Sequence, residues 1–372
     1  MNTEFDGDER QPPESLDTQR IDAFWRDFTG RLGTFVELAP REFVERANEL
    51  LQAHVSGLAL ELEGSLKEGG SRLVVTAHGN IEQFENAQAL VRRAPGLGED
   101  GACTVQAFRS RSLGRDFAMR MDGFELSCSD VLIGHYDAGG IVGLEISFEK
   151  IIPQDMVEHA RHMSFIMLDH VLGEWDLAVR VGPVEFVEAF SDAVAGAEPL
   201  SVFPPIFDAF VRDDLGRSYE LPQESDDHWS MITLKADDAQ EDDPPDLLMF
   251  RFSANAVATR ADLCYFLEWR APIGDNERLE RIRDAQQALG DELERRRCGL
   301  LVYTCVEAMQ DRVAAFYVED AAEALRLARE LGERHVPELE PGLTAKFDPS
   351  WQEYLDLYCA VGQGADGGGA GE

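Results

Sequence analysis

Three histidines, His159, His162 and His170, lie within the stretch PQDMVEHARHMSFIMLDHVL (153–172), with Asp155, Glu158, Asp169 and Glu174 close by. Imidazoles and carboxylates at this density are the groups that hold transition metals or exchange protons near neutral pH. Their spacing tests the metal reading. His159, Met163, Ile166 and His170 fall at i, i+4, i+7 and i+11 of a helix, so two histidines share a stripe with apolar residues. At a rise of roughly 1.5 Å per residue these two stand on the order of 16 Å apart, too far to share one ion. His159 and His162 are nearer but face different ways, and a further ligand would have to come from another element. The stripe reads as a mixed helix face, and no metal or cofactor is expected.

The densest polar group at an ordered junction is LDHVLGEWD, where Asp169, His170, Glu174 and Asp176 surround Gly173. Asp169, His170 and Glu174, with His135 as an alternative neighbour, are the candidates for acid–base work. That chemistry requires one carboxyl pushed toward neutral pKa by burial or by the other. The competing reading, and the favoured one, is a glycine C-cap followed by an exposed turn. Thr76-Ala77-His78-Gly79-Asn80 has a site-like composition too, yet turn and cap geometry explain it. Other chemistries lose their footing by absence. The chain has no G-x-G-x-x-G after a strand, no G-x-x-x-x-G-K-[ST], no G-x-S-x-G and no H-E-x-x-H.

Composition narrows the partners. Of 372 residues 71 are acidic and 34 basic, a formal net charge of −37. Such a surface repels phosphate backbones, so no direct nucleic-acid partner is expected, whereas a basic protein would be attracted. Solubility alone, or a salt-adapted cell, also accounts for the charge. No apolar run is long enough to span a membrane. Residues 1–16, acidic and without an apolar stretch, read as a disordered leader rather than a secretory signal, which implies a cytoplasmic protein. The six cysteines form no C-x-x-C and sit in apolar runs, so buried free thiols are expected.

The elements that position these groups follow from periodicity. Helices are expected near 20–30 and 40–55, with strands in GLALELEG and RLVVTAHG. Asn80 and Gln83 have capping-box spacing for a helix that Pro95 stops. Strands CTVQAFRS, FAMRM, VLIGHYD and VGLEISFE follow, then the helix 153–172, a strand in WDLAVRVG, and helices near 184–195 and 203–214. Beyond the strands HWSMITLKA and LLMFRFSA, which flank an acidic loop at 237–246, the order becomes β-α-β-β-α-β. Its pieces are LCYFLEWRA, NERLERIRDAQQALGDELERR, GLLVYTCVE, VAAFYVE, AAEALRLARELGERH and GLTAKFD. Asp348 and Pro349 then open a short helix whose Trp351, Tyr354 and Tyr358 dock on the sheet. The expectation is an α+β protein: leader 1–16, N-terminal domain 17–182, helical connector 183–215, ferredoxin-like domain 216–360 and a disordered Gly-rich tail 361–372. The N-terminal domain would be an expanded relative of the same plan.

The stretch 216–359 resembles the bacterial domain of unknown function 695, through the helix ERLERIRDAQQALGDELE, the hairpin LLVYTCVEAMQDRVAAFYV and the closing DPSWQEYLDLY. Where that family's hairpin often has a Gly-Arg pair, Tyr303-Thr304 stands, and Arg312 ahead of Phe316 and Tyr317 matches its usual arginine. FWRDF, RLVVTAHGNIEQFENAQALVRRAP and LDHVLGEWD look like the region that often precedes the domain, with His78 where an acidic residue is more usual. The order and acidity are also distantly similar to the regulator of ribonuclease E activity B, which implies a non-enzymatic protein that binds another protein. The leading expectation is therefore an inhibitor- or immunity-like binding module. The alternatives are an enzyme of unrecognised type near Asp169 and Glu174, or an acidic structural protein; composition is silent on oligomeric state.

Overall fold

The computed structural model describes residues 18–66, 70–97, 103–112, 116–235, 244–340 and 342–366. The leader, most of the 237–246 loop and the last residues of the tail lie outside them. The protein is α+β. The chain forms two compact units, one of Met1–Leu132, Phe148–Ala178 and Pro199–Pro204, the other of Ile133–Ser147, Val179–Glu198 and Pro205–Glu372. The second unit thus takes in parts of the stretches 17–182 and 183–215.

The first unit opens with helices α1 (Thr18–Phe35) and α2 (Pro40–His54), followed by strands β1 (Ala59–Glu63) and β2 (Ser71–Thr76). Phe24, Trp25, Phe28, Phe35 and Phe43 form a chain of tilted and edge-on rings between the two helices. Helix α3 (Phe84–Arg92) leads to β3 (Cys103–Ala107), and the sheet order is β1-β2-β3, with β3 parallel to β2. Asn48 of α2 pairs with both backbone groups of Leu60 at 2.8 Å, and Trp25 Nε1 donates to Leu90 O at 2.9 Å. Asn80 caps the turn before α3 by accepting from Glu82 N, but Gln83 bonds Asn86 instead of closing a capping box. A hairpin of β4 (Ala118–Met121) and β5 (Phe124–Ser127) turns at Asp122-Gly123, both at positive φ. That Asp-Gly pair is a strong hairpin signal whose second strand, FELS, the alternation pattern did not reveal.

β6 (Val131–Asp137) and β7 (Val142–Phe148) form the expected hairpin, and α4 (Val157–Leu172) ends at Gly173 with φ 81°. Two expectations fail next. WDLAVRVG is mostly helix, α5 (Glu174–Val179), and the strand β8 (Val181–Phe186) starts only behind it, where a helix near 184–195 was expected. Alternation over five residues does not separate a strand from a short helix, and Glu174 anchors the helical start. After β9 (Ala197–Pro199) comes α6 (Phe203–Asp213), close to expectation. The four-stranded sheet runs β8-β7-β6-β9. The N-terminal strands therefore divide among three sheets, which departs from an expanded copy of the C-terminal plan: β2 and β3 pair directly, leaving no place for a hairpin strand between them.

The remaining elements are β10 (Trp229–Leu234), β11 (Asp246–Arg251), β12 (Tyr265–Pro272), α7 (Asn276–Arg296), β13 (Gly299–Glu307), β14 (Asp311–Val318), α8 (Ala321–His335), β15 (Gly342–Phe347) and α9 (Gln352–Asp366). The sheet order is β10-β11-β13-β14-β12-β15, antiparallel throughout. Asp275 and Asp320 cap α7 and α8, accepting from Arg278 N and Glu323 N. One apolar layer joins these helices to the sheet through Leu267, Trp269, Leu289, Leu293 and Phe316. The other face meets α9 through Phe250, Tyr317, Trp351 and Tyr354. Trp351 stacks on Tyr317 at 3.8 Å and donates to Leu263 O at 2.7 Å. It takes a left-handed φ of 59° to enter this layer, so α9 starts at Gln352 rather than at Pro349. Asp348 caps as expected, accepting from Gln352 N, Glu353 N and the Tyr317 hydroxyl. The helix continues to Asp366, into residues expected to be disordered, with Val361 still packed on the core.

Trp351→Ala should cost about 3–5 kcal/mol in urea unfolding of the full chain, from lost burial and the cavity left behind. Tyr317→Phe removes only the hydroxyl bond to Asp348 and should cost about 1–2 kcal/mol in the same measurement.

Candidate functional site

Two of the three sequence candidates converge in the first unit. Glu174 is fully buried at the first position of α5. A buried carboxylate needs donors on both oxygens to offset lost hydration. Its Oε1 accepts from Ala77 N at 2.9 Å and Gly79 N at 3.1 Å, and its Oε2 from Arg109 N at 3.1 Å. His78 and Gly79 both take positive φ, which turns the two amides inward on one oxygen. Gly173 makes the approach possible: a Cβ there would lie 3.1 Å from Arg109 O and 3.2 Å from Arg111 N.

Arg109 gathers the rest. Its guanidinium pairs with Asp169 and Glu61, donates to Thr76 Oγ1 at 3.0 Å, and meets His78 Nδ1 at 3.0 Å. Since a guanidinium only donates, His78 accepts at Nδ1 and carries its proton on Nε2. Arg111, two residues on, binds Asp176 and the Leu172 carbonyl, closing the C-terminal end of α4. The sequence reading missed both arginines, although the R-S-R spacing of FRSRS already sets them on one side of an extended chain. His170 does not join this group: its ring lies edge-on to Phe117, and its carbonyl accepts from Ser112 N.

Every carboxylate here is matched by cations or amides, and Thr76 Oγ1, fully buried, already accepts from Arg109 and from His78 N. Such a network locks the turn 76–80, the strand end at 109–111 and the α4–α5 junction together. It offers no free nucleophile. His159 lies elsewhere, bonded to Asp122 at 3.1 Å, and among the described residues no group of three His, Cys, Asp or Glu side chains is arranged to hold a metal ion.

His135 belongs to the second unit and packs edge-on to Phe210 at 4.7 Å. Burial pushes its proton affinity down, opposed by the Asp214 charge. The same unit buries two arginines. Arg251 is bidentate to Asp227 at 2.7 and 3.0 Å and reaches Glu294 of α7 and Leu301 O, while Arg217 donates to Gly140 O and to Asn255 at 3.3 Å. The six cysteines are free, and burial raises the Cys128 and Cys305 thiols to about 11, away from thiolate reactivity. No family model, curated protein or solved structure matches this chain.

Glu174→Gln turns an amide donor toward backbone donors and should cost about 1–3 kcal/mol in chemical denaturation, with Glu174→Ala at least as severe. For His135, the folded pKa lies below the unfolded one, so the unfolded chain binds the proton more tightly. Stability should be fully present above about pH 6.5 and fall as the pH drops toward the folded value. His135→Gln should flatten that part of a stability–pH profile.

Proposed function

We propose that this protein is a non-enzymatic binding or regulatory module whose acidic surface engages a basic partner protein in the cytoplasm. The observation that carries the proposal is how the cations are spent. Arg41, Arg46, Arg72, Arg93, Arg120 and Arg161 are each paired with a carboxylate of their own surface, as are Arg270, Arg281, Arg296, Arg326 and Lys346. With 71 acidic and 34 basic residues, the charge left over for a partner is overwhelmingly negative. Exposed pairs contribute little to stability, so this arrangement acts on encounter rather than on the fold.

Architecture supports the same reading. The order β15-β12-β14-β13, with α7 and α8 on one face, corresponds to the 4-1-3-2 order of a ferredoxin-like domain, here widened by β10 and β11. We take residues 216–360 as such a domain, in keeping with the resemblance to domain of unknown function 695. The saturated Glu174 and Arg109 network argues for a structural rather than a catalytic role for Asp169 and Glu174.

The test is a pull-down with the full chain from its source lysate, with and without crosslinking. A basic protein should be retained at low salt and released near 0.5 M, roughly where the screening length falls below 5 Å. Recovery of no partner in either format overturns the proposal. Unfolding of the free protein at low ionic strength would instead favour an acidic structural protein of a salt-adapted cell.

A further inference from the structure

We infer that the free edge of β10 is the docking strand for an extended, basic segment of the partner. This deepens the proposal above and rests on it. β10 ends the six-stranded sheet, pairing only with β11 among the described residues. Phe252 N donates to His228 O at 2.9 Å, so alternation along the ladder turns the backbone groups of Trp229, Met231 and Thr233 outward. Edges of this kind are usually blunted by lysine, proline or a bulge. The opposite edge follows the rule: β15 carries Lys346, bonded to Glu353 of α9. The six residues of β10, WSMITL, carry no such guard, and Lys235 stands just past their end.

The side chains point the same way. Met231 and Met249 face each other across the β10–β11 ladder, 71% and 37% exposed, on the sheet face that bears α7. Of seven large apolar side chains exposed among the described residues, three (Met231, Leu234 and Met249) lie on this hairpin. Methionines repack around varied side chains, which suits a strand-docking surface. An added strand would satisfy the outward amides and carbonyls and cover the methionine pair with alternate side chains. Charge decides the occupant. A second copy would bring another −37 to the same edge, whereas a basic segment is drawn in by the net negative charge of the chain.

The probe is a peptide of about ten residues alternating arginine and valine, with a glutamate–valine peptide as control. Only the basic peptide should bind the full-length protein at low salt, and hydrogen exchange should slow at residues 229, 231 and 233. Met231→Pro removes an outward amide without touching the β11 ladder, and Met231→Lys installs the guard that β15 has. Each should weaken binding about tenfold while circular dichroism stays unchanged. Absence of binding overturns the assignment, as does protection that appears elsewhere or ignores both substitutions. In those cases the acidic-surface reading still stands or falls by the pull-down alone. Self-association relieved by Met231→Lys would give the edge to a second copy and also overturn the inference.

Discussion

A carboxylate taken out of water must find donors in the protein, and Glu174 shows how much of the first unit is arranged around that requirement. Its oxygens collect amides from a turn at 77–79 and from residue 109, segments far apart in sequence. The left-handed backbone at His78 and Gly79, the missing Cβ at Gly173 and the helical restart at α5 all serve this one group. Removing the carboxylate would leave three inward amides unsatisfied, so the cost falls on the backbone as well as on the side chain.

The second unit repeats the logic with other ions. Arg251 is almost fully buried yet matched by Asp227 and Glu294, which ties β11 to α7. Arg217 is held by the Gly140 carbonyl and Asn255, and Glu145 accepts from Ser191 N at 2.8 Å. Asp348 joins the Tyr317 hydroxyl to the start of α9. Each buried charge stands where elements distant in the chain meet. They select one arrangement of the elements more than they add stability, since a buried pair gains little over an apolar replacement.

Against this interior, the surface carries the surplus of negative charge. Arginines such as Arg270 and Arg326 are spent on neighbouring carboxylates, and the β10 edge of the six-stranded sheet exposes methionine within its strand. Steering by long-range charge and capture by a strand edge act at different distances, the first beyond contact and the second only at contact. The two features fit one partner chemistry.

From the sequence alone came the α+β class, the C-terminal run of strands and helices, and the caps at Asp348 and Asn80. These depend on local periodicity and on side chains that bond within a few residues. The group Asp169 and Glu174 was legible as a polar cluster, but its role was not, because Arg109 lies 65 residues before Glu174. WDLAVRVG turned out helical for the same reason: a buried glutamate held by remote amides outweighs five residues of alternation. Which strands share a sheet, and which edge is left open, depends on pairings between distant segments, and only the tertiary structure decides those.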